Sequence, residues 1–388
     1  CRNSLTKQHC TTSTLKTETT LADLSRTCLS SLEMSLRAIS TSDWHLQAYE
    51  RYFPDGSALE RQMNEVRKPY AYASENGIQH VFVPGDLSNV PRMDERYLIA
   101  LIAHFVSVDD HIDTHYIIGN HDHLREGRTS VDVLNAMVQN KFFKRLHLYY
   151  QPTRKGIDGV PVTFMPFPYT EQPKDKPSLV FSHVETSGAL GDNGYPVKGS
   201  SKHDIVRVDG DFMVSGHLHT YQTVKSKRAV FNGSLTQRNF GESLPKGWID
   251  FTAKKRSDGR IKFSHEFISG NPEFTFNTVT ISDKSQWADL SEDPSRLYRV
   301  FVDEGITVPR NLMHDRPNVI YVYSSDKKKK IETLEQHASK SLVDLPKFGP
   351  TTYLKPFLKK QGLTRPMLLT ARDMVHEALS TLGISSTQ

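Results

Sequence analysis

The sequence carries metal-binding side chains in five short polar motifs, each of which directly follows an apolar segment. The motifs are Asp43-Trp44-His45, Gly85-Asp86, Gly119-Asn120-His121-Asp122, His183 and Gly216-His217-Leu218-His219. Two aspartates, one asparagine and four histidines offer oxygen and nitrogen ligands without a thiolate, which suits Mn²⁺, Mg²⁺, Fe or Zn²⁺. These seven residues are Asp43, His45, Asp86, Asn120, His183, His217 and His219. The donor set exceeds the needs of one tetrahedral ion and predicts two ions, roughly 3.5 to 4 Å apart, that share a carboxylate.

The spacing within the motifs supports this interpretation. Residues two apart in an extended segment face the same side, so Asp43 and His45 can bind one ion. His217 and His219 can also share an ion, or bind one ion each. Clustered carboxylates and imidazoles would be costly to bury without a cation, so we expect a metal centre.

An alternation of β-rich and helical segments predicts an α/β fold that positions the motifs. The predicted strands are Arg37 to Ser42, His80 to Val83, His115 to Ile118, Val160 to Met165, Leu179 to Ser182, Phe212 to Ser215 and Arg228 to Phe231. The predicted helices are Ala58 to Glu75, Met93 to Val108 and Val131 to Gln139. In α/β sheets the ligand crevice lies outside the carboxyl ends of the strands, so the five motifs are expected to converge.

The ordered motifs D-x-H, G-D, G-N-H-D, H and G-H-x-H resemble those of the calcineurin-like metallophosphoesterase superfamily over about residues 36 to 240. The resemblance implies a four-layer sandwich in which two mixed sheets lie between helices. It also implies one ion at Asp43, His45, Asp86 and His219, and a second at Asp86, Asn120, His183 and His217. Asp86 would bridge the two ions.

The resemblance implies phosphoester hydrolysis. Two cations lower the pKa of bound water and neutralise charge on the phosphoryl oxygens. His121 is not needed as a ligand and is placed to protonate the leaving group, with Asp122 holding its tautomer. We therefore expect His121 and Asp122 to be catalytic, and Mn²⁺ to be the native ion, with Mg²⁺, Fe and Zn²⁺ as alternatives.

Composition indicates an ordinary globular protein. The chain has 388 residues, 24% of them charged, and a net charge of +5 that would suit a polyanion without requiring one. All three cysteines lie in the first 28 residues, which excludes a disulfide framework in the rest and suggests a reducing compartment. Because no apolar run approaches a membrane span and the N-terminus lacks the apolar stretch of a secretory signal, we expect a soluble cytoplasmic protein.

Four regions are predicted. Residues 1–33 are expected to be disordered or upstream of a native start at Met34; a transit peptide is the rival, weakened by Glu18, Asp23 and Glu33. Residues 34–245 form the catalytic domain, 246–330 a small α+β capping and DNA-binding domain, and 331–388 a helical tail.

The predicted metal-binding residues do not determine which phosphoester is hydrolysed, so residues outside them must do so. Residues 231–250 and the domain order resemble SbcD-like DNA repair nucleases. The resemblance implies cleavage of DNA together with an SbcC-like ATPase. In that family the ATPase binds the helical tail, and here Thr364 to Leu379 has one apolar face that could bind it. Homodimerisation is common in that family, but no residue here demands it. The same resemblance favours a bacterium or a phage-infected host. The basic hairpin from Lys254 to Lys262 could lie along a phosphate backbone, although the sequence favours a solvated hairpin whose charged edges deter aggregation. Arg125, Arg128 and Arg238 could also meet phosphate, yet each is equally plausible as a helix-edge or loop charge. The alternatives are hydrolysis of a small phosphodiester, nucleotide or phosphoprotein, and a non-catalytic scaffold, which the complete ligand set disfavours.

Overall fold

The computed structural model describes residues 35–108, 110–123, 129–171, 176–192, 194–197, 211–309, 312 and 316–323. Within them lie three α-helices, α1 (Ala58–Glu75), α2 (Glu95–Ser107) and α3 (Asp132–Gln139), and two 3₁₀ helices, Lys225–Lys227 and Lys284–Asp289. The strands are β1 (Ser35–Ser40), β2 (His80–Pro84), β3 (Asp113–Ile117), β4 (Leu146–Tyr149), β5 (Thr153–Ile157), β6 (Val160–Met165), β7 (Leu179–Ser182), β8 (Phe212–Ser215), β9 (Gln222–Val224), β10 (Ala229–Phe231), β11 (Gly247–Lys255), β12 (Ile261–Ser269), β13 (Thr275–Ile281), β14 (Arg296–Val302) and β15 (Val319–Tyr323).

Two six-stranded mixed sheets form the body, which confirms the predicted α/β class. The first sheet has the order β12-β11-β1-β2-β3-β4, and the second has the order β5-β6-β7-β8-β10-β9. Strands β1 to β4 are parallel to one another, as are β6, β7, β8 and β10. Parallel neighbours end at the same edge of a sheet, so each sheet presents several loops together at its carboxyl edge.

The helices cover the outer face of the first sheet. In α1, the apolar residues Met63, Val66, Tyr70 and Ala73 recur at spacings of three and four and are buried in one core with strand residues such as Val81. Helix α2 begins after Asp94, whose side chain accepts a hydrogen bond from the backbone N–H of Arg96. The described residues contain no α-helix on the outer face of the second sheet, so the four-layer arrangement stays a prediction.

A second core fills the space between the two sheets. Phe82 of the first sheet stacks on Phe181 of the second, with ring centroids 4.0 Å apart and planes within 1°. Leu36 and Ala38 of β1 are fully buried in the same core. Alternate residues of β1 therefore face the helices and the opposing sheet, and this two-sided burial holds its carboxyl end in place.

Strands β11 and β12 belong to the first sheet. Strand β11 pairs antiparallel with the whole length of β1, from Ser35 opposite Lys254 to Ser40 opposite Ile249. Residues 246–330, which include these strands, were predicted to form a separate capping and DNA-binding domain. The structure instead places them at the edge of the first sheet, because the apolar face of β11, including Ile249 and Phe251, completes the core between the sheets.

A third sheet, β13-β14-β15, follows the body. Its strands are parallel, and Phe274, Phe276 and Leu297 pack against Phe53 and Ala58 of the body. The expected disordered segment 1–33 and the tail 331–388 lie outside the described residues.

A buried histidine in α2 predicts acid sensitivity. The His104 ring lies 4.6 Å from that of Tyr70, and its Nε2 has no hydrogen-bond partner. Burial lowers the pKa of His104 to about 3, so below pH 6.5 the unfolded chain takes up a proton that the folded chain does not. Stability should therefore fall as the pH drops from 6.5 towards 3. Between neutral pH and pH 4, the unfolding free energy of His104→Phe should fall by about 3 kcal/mol less than that of the wild type.

Urea unfolding in chelator at both pH values measures this difference, and His111→Gln, which removes an exposed histidine, is the control. Equal losses on acidification in wild type and His104→Phe would contradict the prediction.

Candidate metal centre

The predicted ligands lie on loops at the carboxyl ends of five strands. Asp43 follows β1, Asp86 follows β2, and Asn120 follows β3 in the first sheet. His183 and His217 follow β7 and β8 in the second sheet. The two sheets bring these loops together, and His219 joins them from the same loop as His217.

The backbone of this site is unusually strained. Asp43, His45, Asp86 and His217 have φ angles of 54°, 45°, 59° and 80°, in the left-handed region that non-glycine residues rarely adopt. Each such residue costs of order 1 kcal/mol or more, so the surrounding structure must hold it there. Strain concentrated on four of the seven predicted ligands is typical of a functional site.

Glycines allow the ligand loops to approach one another. A Cβ atom at Gly119 would overlap Oδ1 of Asp86, and one at Gly85 would overlap Nδ1 of His183. A Cβ atom at Gly216 would likewise overlap the carbonyl oxygen of Pro84. The glycines before Asp86, Asn120 and His217 therefore provide space for atoms of neighbouring loops.

One half of the site contains Asp43, His45 and His219. Their ligand atoms lie within 4.8 Å of one another, and all three residues are buried. Nε2 of His45 is 3.1 Å from Nε2 of His219 and 3.7 Å from Oδ1 of Asp43. Two imidazole nitrogens that face each other beside a carboxylate are a donor arrangement suited to a cation.

The other half contains Asp86, Asn120, His183 and His217. Oδ1 of Asn120 is 2.8 Å from Nε2 of His183 and 2.9 Å from Nδ1 of His217. Oδ2 of Asp86 lies 3.2 Å from Nε2 of His183 and 3.6 Å from Nε2 of His45. Asp86 therefore lies between the two halves, and all seven predicted ligands come together.

Outer hydrogen bonds orient the histidines. Nδ1 of His219 is 3.0 Å from both Oδ2 of Asp192 and Oε1 of Glu242. Nδ1 of His183 is 2.8 Å from the carbonyl oxygen of Pro84. Partners of this kind hold an imidazole so that its other nitrogen faces the site, as around metal-binding histidines in general.

Burial and the neighbouring carboxylates set the protonation of the histidines in the site. Burial lowers the pKa of His45 and of His217 to about 4, which leaves neutral imidazoles with free lone pairs. Burial also acts against protonation of His183, but the Asp86 carboxylate outweighs it and raises the pKa of His183 to about 9. A bound cation would take over the role of that proton in balancing the buried carboxylates. The buried Asp and His groups fit a metal ion in both chemistry and position.

The two predicted catalytic residues have different environments. Nδ1 of His121 is 2.8 Å from the carbonyl oxygen of Asn89, and its ring stands edge-on to that of His45, with centroids 4.8 Å apart. Its backbone N–H donates to Oδ1 of Asp86 at 2.8 Å. His121 is thus held at the site, and its ligand atom also falls in a group with those of His45 and Asp86.

The expected role of Asp122 is corrected by the structure. Its fully buried carboxylate accepts hydrogen bonds from the backbone N–H groups of Asp86, Ser88 and Gly119 and from the Tyr116 hydroxyl. The carbonyl of Asn89, and not Asp122, is the partner of the His121 ring. Asp122 instead ties two ligand loops together, because one carboxylate can accept several amide donors.

Three residues near the site extend the predicted set. Asp192 and Glu242 orient His219, and Nη1 of Arg238 lies 3.2 Å from Nε2 of His45 and 3.1 Å from Nε2 of His219. Of these three residues, only Arg238 was singled out from the sequence, as a possible phosphate contact. No local pattern singles out Asp192 or Glu242, because their partner is distant in sequence.

The basic hairpin lies away from this centre. Lys254 pairs with Ser35 at the start of β1, whereas the ligand loops follow the ends of the strands. A surface groove at the hairpin is lined by Arg154, Lys155, Lys176 and Lys255 and contains no carboxylate in its lining. The hairpin therefore lies at the opposite end of β1 from the loop that carries Asp43 and His45.

Gly119→Ala tests the close approach of the loops. The added methyl group would overlap Asp86, although the φ angle of Gly119 lies outside the left-handed region that disfavours alanine. We expect metal affinity to fall about 10- to 100-fold, a loss typical of displaced ligand surroundings. Gly156→Ala is the matched control, because a Cβ there meets nothing within 4 Å. Titration calorimetry with Mn²⁺ measures both variants, and equal affinities would contradict the prediction.

Comparisons with known proteins leave the family open. No family model matches the chain, and no curated protein matches it. Among solved structures the chain is similar to GAP50, the anchor in the inner membrane complex of Plasmodium, over 62% of this chain and 86% of that chain. The sequence identity is 10% and the TM-score is 0.37, a likeness that carries no argument about this chain. No helix in the described residues is long and apolar enough to cross a membrane.

Proposed function

We propose that this chain is a two-metal phosphodiesterase that cleaves DNA. The observation that carries the proposal is the buried carboxylate of Asp86, which lies within 3.6 Å of His45 on one side and within 3.2 Å of His183 on the other. A carboxylate shared by two sets of ligands is the arrangement expected for paired cations in hydrolysis at phosphorus.

In this proposal Asp43, His45, Asp86 and His219 hold one divalent cation. Asp86, Asn120, His183 and His217 hold the second, and Mn²⁺ is the expected ion at both. When bound, the cations supply positive charge against the phosphoryl oxygens and acidify water. The chain supplies a rigid, buried frame in which the carboxylates and imidazoles are already oriented, so little reorganisation accompanies the reaction.

His121 is the proposed proton donor to the leaving alkoxide. Because Asn89 accepts the proton on Nδ1, Nε2 is the nitrogen that exchanges a proton with substrate. The hydrogen bond from the His121 backbone to Asp86 keeps the ring at a constant distance from the ligands. Asp122 acts through the loops that it joins and not through the His121 ring.

Two further features favour DNA as the substrate. Residues 231–250 resemble the corresponding segment of SbcD-like nucleases, and the third sheet contacts this segment through hydrogen bonds between Gln237 and Phe276. The groove lined by Arg154, Lys155, Lys176 and Lys255 also offers positive charge to a polyanion. A phosphatase for small substrates would need neither feature.

The proposal includes a partner. The resemblance implies an SbcC-like coiled-coil ATPase that binds the apolar face of residues 364–379, and it also implies a homodimer. A cytoplasmic setting would suit both. Copurification of the chain with such an ATPase would support the partner. The complex should be lost when Leu368 and Val375 are changed to aspartate. A complex that survives these changes would show that residues 364–379 are not the binding surface.

The test of function is hydrolysis of end-labelled linear DNA in Mn²⁺, Mg²⁺ or chelator, beside hydrolysis of bis-p-nitrophenyl phosphate. We expect metal-dependent cleavage of both substrates by the wild type and of neither by His217→Ala. Cleavage of the small diester alone would move the proposal to a small phosphodiester or to a nuclease that needs its ATPase. Cleavage of neither substrate by protein that binds Mn²⁺ would contradict a phosphodiesterase.

A further inference from the structure

The guanidinium of Arg238 lies at the candidate metal centre, where no carboxylate of the described residues pairs with it. Nη1 is 3.2 Å from Nε2 of His45 and 3.1 Å from Nε2 of His219. Among the described residues the side chain makes no other hydrogen bond and no ion pair, and its buried Nε has no acceptor. A buried donor without an acceptor costs about 1 to 3 kcal/mol, so this arrangement needs a compensating role.

The loop around Arg238 is held on several sides. The Arg238 N–H donates to Oε2 of Glu242 at 3.2 Å, and its carbonyl oxygen accepts from the Tyr49 hydroxyl at 3.2 Å. The side chain of the preceding residue, Gln237, bonds both the N–H and the carbonyl oxygen of Phe276 in β13. The body and the third sheet together therefore fix the base of the arginine side chain.

The nearby acidic groups have other partners, so they do not account for this arginine. The carboxylate of Glu242 lies 3.0 Å from Nζ of the buried Lys246 and 3.0 Å from Nδ1 of His219. Asp192 also pairs with His219. The positive charge of Arg238 is thus left beside a site that is itself suited to cations, where like charges repel. An anion that enters the site would relieve both the repulsion and the unpaired donors.

We propose that Arg238 is a catalytic residue that binds a non-bridging phosphoryl oxygen of the substrate at the candidate metal centre. Guanidinium groups present fixed pairs of donors that match phosphoryl oxygens, and their charge stabilises the extra negative charge of the transition state. This inference rests on the proposed phosphoesterase function. It assigns substrate contact to a loop that carries none of the predicted metal ligands.

The experiment compares Arg238→Met and Arg238→Lys in the full chain with the wild type. Calorimetry measures the binding of Mn²⁺ and then the binding of inorganic phosphate in Mn²⁺, while bis-p-nitrophenyl phosphate reports turnover. We expect Mn²⁺ stoichiometry to be unchanged. Phosphate affinity should fall about 10-fold and kcat/KM about 100-fold in Arg238→Met, with smaller losses in Arg238→Lys, because lysine retains the charge but not the paired donors.

The matched control is Arg299→Met. Arg299 stacks over Phe240, two residues from Arg238, and hydrogen-bonds Thr278 without touching the ligands, so it tests whether changes near this loop act indirectly. Added guanidinium ion should restore part of the activity of Arg238→Ala and none of that of His217→Ala. Rescue of this kind is expected only where the lost group acts directly on substrate.

The outcomes distinguish failure of the role assigned to Arg238 from failure of the proposed phosphoesterase function. Unchanged phosphate affinity in Arg238→Met would overturn the inference while leaving the phosphoesterase intact, as would tighter Mn²⁺ binding with no change in phosphate binding. A failure of the wild type to bind Mn²⁺ or to hydrolyse the diester would instead overturn the proposed function, and the inference with it.

Discussion

Asp86→Asn is expected to abolish metal-dependent hydrolysis, with a loss in kcat/KM of about 1,000-fold or more. Asparagine has nearly the same shape but no charge. Asp86 contributes to two of the three groups of potential ligands in the described residues, and its Oδ1 also accepts the backbone N–H of His121. Both halves of the site should therefore lose affinity in this single variant.

The measurement is Mn²⁺ titration calorimetry beside turnover of bis-p-nitrophenyl phosphate. Asp258→Asn, which removes a carboxylate from the exposed hairpin turn next to Arg256, is the control for the loss of one negative charge. We expect Asp258→Asn to behave as the wild type. Retention of two Mn²⁺ equivalents at wild-type affinity in Asp86→Asn would contradict the shared-carboxylate arrangement.

His121→Asn is expected to keep metal binding and to lose turnover of DNA by about 100- to 1,000-fold, the usual contribution of a general acid. The reason is the orientation of the ring: Asn89 holds Nδ1, and Nε2 is left to exchange a proton with substrate. An alkoxide leaving group needs that proton. A p-nitrophenolate group leaves readily without one, so the loss should be much smaller with bis-p-nitrophenyl phosphate.

The ratio of the two losses is the informative quantity. His123→Asn serves as a control, because Nε2 of His123 is 3.0 Å from the carbonyl oxygen of Phe167 and its ring is thereby occupied. Equal losses on the two substrates would argue against proton donation. A simultaneous loss of Mn²⁺ from His121→Asn would make His121 a ligand, which its position beside His45 and Asp86 also permits.

The local sequence was sufficient to locate the strands that carry the candidate site. Predicted and observed bounds agree for β6, β7 and β8, and they differ by one or two residues at an end for β1, β2, β3 and β10. Apolar runs that end in polar residues are local signals, and the strand period is set by backbone geometry. The same reasoning missed β4, β5 and β9, short strands that contain exposed or half-buried residues such as Gly156 and Thr223.

The candidate metal-binding residues were predicted from the same local signals. The residue types at Asp43, Asp86 and His183 prefer divalent cations, and parallel strands end at one edge, so the sequence predicted their convergence. It did not predict the left-handed backbone at His45 and His217, because both residue types ordinarily avoid that region and only the surrounding structure imposes it.

Contacts between distant segments were decided by the tertiary structure alone. Strand β11 joins the first sheet because it covers β1, whose paired residues lie more than 200 positions away in sequence. The Asp122 carboxylate accepts hydrogen bonds from the loop of Asp86 and not from the ring of His121, its neighbour in sequence. The reason is that the buried backbone N–H groups of Asp86 and Ser88 need an acceptor. Arg238 reaches the centre only because the body and the third sheet hold its loop. The sequence by itself determined which residues could bind metal, and packing between remote segments decided which other residues surround them.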